Sequence, residues 1–109
     1  MPIPDAADVV VPREKVVNFL LDPDHPENKG RAPLLVRLGY TMEDWERLAE
    51  DLRRMAMESD SIEAPSPYGR RFRVVGNLNG PTGSRAWRTI WEIPHGADAA
   101  FFVTAYPRG

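Results

Sequence analysis

Cysteine is absent from this sequence of 109 residues, which excludes a disulfide framework, a thiolate zinc site and a cysteine nucleophile. Histidine is scarce: there are only two, His25 and His95. They stand in separate loops with no spacing of the kind zinc ligands show. No apolar run approaches the roughly 20 residues that cross a bilayer. The opening MPIPDAADVVVP has neither the basic start nor the apolar stretch of a secretory signal. Glycine-rich phosphate loops, nucleophile elbows and dinucleotide fingerprints are missing too. The expectation is a cytoplasmic domain with no metal and no cofactor.

What is present is charge, unevenly placed. The net charge is −2, a weak argument against nucleic acid, but the average hides an asymmetry. Residues 1 to 63 carry 14 acidic and 8 basic side chains, whereas residues 64 to 109 carry 2 acidic and 6 basic ones. All six of those cations are arginines, the side chain best suited to bidentate phosphate contact. The same asymmetry also describes a sheet whose surface is merely locally basic.

The hydrophobic pattern divides the chain in the same place. The length suits one domain over 1–109, and the 11 prolines punctuate and stiffen its loops. Residues 1 to 11 read as an extended lead-in. PREKVVNFLL puts Pro12 in a first helical turn, with Val16, Phe19 and Leu20 at helical spacing until Asp22-Pro23 ends it. Leu34, Leu35 and Leu38 form a short apolar stripe that Gly39 can close in the left-handed region. In TMEDWERLAEDLRRMAMES, Thr41 caps, with Asp44 three residues on. Trp45, Leu48, Leu52 and Met55 then line one face. Residues 59 to 69 read as a connector rich in breakers.

From residue 70 the period becomes two. RRFRVV, SRAWRTIWEI and AAFFVTAY are strand-like, and short links predict an antiparallel meander. The fold class is therefore α+β: N-terminal helices, about 12–58, packed on a C-terminal antiparallel β-sheet, about 68–107. Alternation puts Trp87, Thr89, Trp91 and Ile93 on one face of their strand, and Phe102, Thr104 and Tyr106 on one face of the next. Threonines set among aromatics make a polar stripe, though both types are also ordinary strand formers.

DPDHPENKGR, residues 22 to 31, fixes His25 between prolines four residues before Lys29. An imidazole titrates near neutrality, and a nearby lysine stabilises developing negative charge. The same residues would equally make a structural elbow.

The strings LLDPDHPENKGRAPLLVRLGYTMEDWERLAEDL, PYGRRFRVVGNLNGP, RTIWEI and FFVTAYP resemble an uncharacterised family of small bacterial toxin-associated domains. In that family the domain stands beside a small partner gene or at the tip of larger toxins. The order of helices, sheet and a last strand carrying a threonine is similar to the barnase/EndoU/colicin/RelE-like ribonuclease toxins. That resemblance implies metal-independent RNA cleavage giving a 2′,3′-cyclic phosphate. His25, Lys29, Thr89, Thr104 and Tyr106 would be catalytic; Arg31 would assist Lys29, and Arg71, Arg73, Arg88 and Trp91 would hold the strand. The implied partners are a small antitoxin or immunity protein and RNA, with no membrane. The competing reading is a non-catalytic protein-interaction module, a toxin partner or immunity-like protein, whose acidic helix Glu43–Asp51 would dock on a basic surface.

Overall fold

A computed structural model describes residues 1–4 and 6–108. Strand β1 (Asp8–Val10) comes first, followed by helix α1 (Arg13–Lys15), which widens into a π-helical segment, Val16–Leu20. Helices α2 (Arg31–Arg37) and α3 (Trp45–Glu58) follow, then strands β2 (Ser61–Ser66), β3 (Gly69–Gly80), β4 (Gly83–Pro94) and β5 (Ala99–Pro107). The sheet has five strands in the order β1-β5-β4-β3-β2, antiparallel throughout except that β1 runs parallel to β5. The α+β class stands.

The sheet is longer and wider than its periodicity announced. SIEAPS lies within the expected connector, yet it pairs with β3 from Ser61 opposite Val74 to Ser66 opposite Gly69. An edge strand tolerates the missing N–H of Pro65. The lead-in residues Asp8–Val10 pair with Ala99–Phe101. Most of the glycine-rich stretch GNLNGPTG is strand: β3 continues through Gly80, and only Pro81 and Thr82 turn the chain. Leu78 is buried between exposed Asn77 and Asn79, a strand alternation that the flanking glycines disguise. Gly76 is no turn signal; a Cβ there would press on Met55 of α3 at 3.1 Å.

One face of the sheet is covered. Leu48, Leu52, Met55 and Ala56 of α3 pack on a layer formed by Phe72, Val74, Trp87, Trp91 and Phe102. Burying side chains of this size contributes about 1.5–3 kcal/mol each. Trp45 is only half-buried and lies under the Arg13 guanidinium, 5.8 Å from its ring centroid. Thr41 Oγ1 does accept the Asp44 N–H at 3.2 Å, but α3 itself begins at Trp45.

Two small constructions fix the ends of the helices. Gly39 closes α2 at φ 96°, and the β3–β4 turn seals that end: Thr82 donates its N–H to Leu38 C=O (3.0 Å) and its hydroxyl to Arg37 C=O (2.8 Å). Tyr40, immediately beyond, is buried and donates its hydroxyl to Asp51 Oδ2 at 2.7 Å. Burial and then the Asp51 hydrogen bond push the Tyr40 phenol far above its ordinary range. Arg47 and Arg54 close on the same carboxylate, each at 3.3 Å.

The second construction is Asn28, 1% exposed at the centre of the loop between the π-helical segment and α2. Its Nδ2 donates to Phe19 C=O (2.6 Å) and Leu20 C=O (3.1 Å), and its Oδ1 accepts Ala32 N–H (2.9 Å). One carboxamide thus ends the first helical unit and starts the next. Lys29 and Gly30 adopt left-handed φ of 52° and 84° beside it.

Asn28→Ala strands buried backbone groups at both ends of the loop. It is expected to lower stability by about 2–4 kcal/mol, read as a reduced urea midpoint with unchanged slope. Tyr40 is neutral in the fold at pH values where an exposed phenol ionises. Its contribution is complete below about pH 10 and declines as pH rises beyond that. In ultraviolet titration Tyr40 should ionise only with unfolding, and a Tyr40→Phe variant should lose that late phase.

Candidate functional site

The sheet has a second, uncovered face, and cross-strand pairing sets out its side chains in rows. Val75, Arg88 and Tyr106 form one row, and Arg73, Ile90 and Thr104 the next; Arg71 and Glu92 follow. The register of β4 and β5 shifts between Ile90 and Trp91: Trp91 faces Phe102, while Ile90 faces Thr104. Val103 is therefore the extra residue of a β-bulge. Its carbonyl accepts from Lys15 Nζ at 3.1 Å.

This bulge corrects the alternation expected from sequence. Phe102 belongs to the core face, whereas Thr104 and Tyr106 belong to the open face. Thr89 and Trp91 lie on the covered face at 0% exposure. The Thr89 hydroxyl donates to Val74 C=O (2.8 Å) and accepts Trp91 Nε1–H (2.8 Å), and the Trp91 ring meets Phe102 edge-on at 5.3 Å. Neither residue has a surface that a phosphate or a nucleotide strand can touch. Thr89 and Thr104, expected to act together, are separated by the thickness of the sheet.

Where β1 stops pairing, the rest of β5 meets the first helical unit, and four of the expected residues converge with one that was not anticipated. Phe19 is the hub. His25 packs edge-on against it with ring centroids 5.0 Å apart, and the Arg31 guanidinium carbon lies 5.6 Å from its centroid. Arg31 is also 5.9 Å from the Tyr106 centroid, and Arg88 is 5.7 Å from it. The result is an alternating run of ring and guanidinium: Phe19, Arg31, Tyr106, Arg88. Each ring face favours its neighbouring cation, and the rings keep like charges apart. Arg31 is further held by bonds to the carbonyls of Glu27 and of Asn28 (3.1 Å). The Nε atoms of Arg31 and Arg88 are shielded from solvent and have no protein acceptor.

His25 borders a hollow of about 360 Å³ lined also by Glu14, Lys15, Asn18, Phe19 and Val103. Its Nδ1 accepts the Glu27 N–H at 3.0 Å, so in the neutral ring the proton resides on Nε2. As held, His25 is a hydrogen-bond donor through Nε2. Lys29 is exposed on the loop crest beside Glu27, at 3.5 Å, and makes no described contact with this run. Arg71 is paired with Glu92 at 3.2 Å, whose carboxylate also accepts from the Ser66 hydroxyl. Arg73 is exposed and has no ion-pair partner among the described residues. His95 sits in the β4–β5 loop near Pro67 C=O. Among the described residues no three His, Asp or Glu side chains gather as a metal-binding group, and no helix is long and apolar enough to cross a membrane.

The placement of Thr89 has a measurable consequence. Thr89→Val keeps the shape but leaves Trp91 Nε1–H buried without an acceptor. It should lower stability by about 1–3 kcal/mol in chemical denaturation.

Comparison with known proteins adds three findings. No curated protein matches the chain in sequence. A chain in a solved contact-dependent growth inhibition toxin–immunity protein complex from Klebsiella pneumoniae 342 shares the fold, with a TM-score of 0.72 and 20% identity over 92% of this chain and 93% of that one. At that identity the likeness speaks for architecture, helices on a mostly antiparallel sheet. The family match is broader and runs over residues 2–109: the chain belongs to the family described as Domain of unknown function (DUF6883).

Proposed function

We propose that this domain is the RNA-cleaving toxin of a bacterial toxin–antitoxin or polymorphic toxin system, restrained by a small antitoxin or immunity protein. The observation that carries the reading is the run Phe19, Arg31, Tyr106, Arg88 with His25 against its first ring. Rings and guanidiniums in alternation suit single-stranded RNA, whose bases stack on aromatic planes and whose phosphates accept paired N–H donors. The shared fold with a chain of a toxin–immunity complex supports the toxin-system setting.

The chemistry is transesterification. The 2′-oxygen attacks phosphorus, the bond to the 5′-oxygen breaks, and the products are a 2′,3′-cyclic phosphate and a 5′-hydroxyl. Arg31 and Arg88 offset the charge that builds on the phosphoryl oxygens. Thr104, on the same face as Tyr106, positions the phosphate, and Lys29 adds charge from the loop crest. His25 donates to a phosphoryl oxygen through Nε2. Proton transfer by His25 requires release of the Glu27 N–H from Nδ1, and Tyr106 is the second proton-transfer group within the run.

The second reading, a non-catalytic module that binds a toxin or resembles an immunity protein, draws on one feature of the same loop. The ring nitrogen of His25 and the charge of Lys29 already have partners, Glu27 N–H and the Glu27 carboxylate.

Expression in a bacterium lacking any partner separates the two. The wild-type chain is expected to arrest growth and fragment RNA, and His25→Ala to reduce cleavage by about 10²–10⁴-fold while remaining folded. Cleavage by the purified protein should persist in EDTA and leave 2′,3′-cyclic ends. Normal growth with intact RNA, at verified soluble expression, would sink the nuclease reading in favour of the interaction module.

A further inference from the structure

The open face of the sheet does not end at Arg88. Beyond it, away from Tyr106, lies a groove of about 290 Å³ lined by Asp60, Ile62, Arg73, Val75, Arg88 and Arg108. Its floor is apolar, Val75 and Ile62, and three guanidiniums stand round it. None of the three has an ion-pair partner among the described residues. Asp60 is the one acid on the rim, and it is engaged by the Met1 amino group at 2.7 Å.

Like charges gathered without counter-charges repel one another, and a fold keeps such a group at a cost that an anion removes. The backbone sets their positions. Arg73 faces Ile62 on β2 and Ile90 on β4, Arg88 faces Val75, and Arg108 extends the β4–β5 pairing by donating its N–H to Ala86 C=O at 3.0 Å. Arg88 belongs to both places, stacked on Tyr106 and lining the groove. Tyr106, Arg88 and Val75 are successive cross-strand partners, so the groove floor lies two strand spacings, roughly 10 Å, from the Tyr106 backbone.

We propose that this groove is a second phosphate subsite, in which Arg73 and Arg108 hold a phosphodiester of the substrate strand next along from the one undergoing reaction. Arg88 bridges the two phosphates. The inference rests on the RNA-cleaving reading and extends it. The domain then takes an extended single strand lying across β5, β4 and β3 rather than a single isolated linkage.

The test uses a short 2′-O-methyl oligoribonucleotide, which cannot be cleaved, bound to the full chain across a salt series. Its all-ribose counterpart is used to follow degradation. The double substitution Arg73→Ala with Arg108→Ala is expected to weaken binding and to lower the magnitude of the slope of log affinity against log salt by about 0.7. That is the change for one phosphate contact on a single strand. Arg73→Lys with Arg108→Lys should restore most of that slope, because charge rather than shape sets it. Exposed Arg37→Ala on α2 should leave it as in wild type. If the wild type degrades the all-ribose strand but the double alanine variant keeps the wild-type slope, the subsite is overturned and the nuclease reading stands. If the wild type neither degrades the ribose strand nor binds the methylated one, both are overturned together.

Discussion

The carboxamide of Asn28 is the constraint from which the rest of the site follows. It is buried, and all of its hydrogen bonds go to backbone groups at the ends of two helical units. Those bonds determine where the π-helical segment stops, how tightly the loop curls, and the direction in which α2 leaves. His25 stands three residues before it and Arg31 three residues after. Both side chains then meet the ring of Phe19, whose own carbonyl accepts from the same carboxamide. Arg31 is further tied to the carbonyls of Glu27 and Asn28. A loop made only of prolines and acids would be stiff; this one is also aimed.

The sheet supplies the other half by having two unlike faces. Its covered face is a close-packed layer of large side chains, and even its buried hydroxyl, on Thr89, is satisfied within that layer. Its open face has arginines spaced by tyrosine and aliphatic side chains. The single extra residue at Val103 turns the end of β5 so that Tyr106 joins that open face while Phe102 stays in the core. The acidic side chains concentrate elsewhere: Asp51 is held by Tyr40, Arg47 and Arg54 on α3. A weakly acidic chain can in this way present a strongly basic surface locally, and local charge is what a phosphate experiences within a Debye length.

How much of this was legible in the sequence depended on which physical signal each part carried. Leu48, Leu52 and Met55 repeat at helical spacing, and Trp87, Trp91 and Ile93 alternate, so α3 and the centre of the sheet were readable. Edge strands β1 and β2 bury little and contain proline or polar residues, so they carry no periodic signal. Gly76 and Gly80 looked like turn formers; they are close-approach sites inside or at the end of a strand. His25, Arg31, Arg88 and Tyr106 stand out in the sequence by residue type alone, and only the fold brings them to one run. Thr89 and Trp91 were misplaced because alternation tells which residues share a face and not which face is covered. Nothing in the local pattern marked Asn28, since an asparagine among prolines and acids looks like any turn residue. Its backbone partners on both sides of the loop, Phe19, Leu20 and Ala32, reveal it only in three dimensions. Phe19 lies on the apolar face of its helix, as its spacing implies, but it is only partly buried, and its exposed part meets His25 and Arg31.

The parallel pairing of β1 with β5 bears on how the domain comes into being. Asp8 lies opposite Ala99, so a strand made early during synthesis must wait for nearly all of the intervening chain before it finds its neighbour. The β3–β4 hairpin needs only a two-residue turn and can form while that wait continues. Sheet completion is then a late, non-local step that draws the first helical unit against β5. The ring-and-guanidinium run at that junction is assembled in the same step, so its rings and cations, drawn from opposite ends of the sequence, come together only when the last strand closes on the first helical unit.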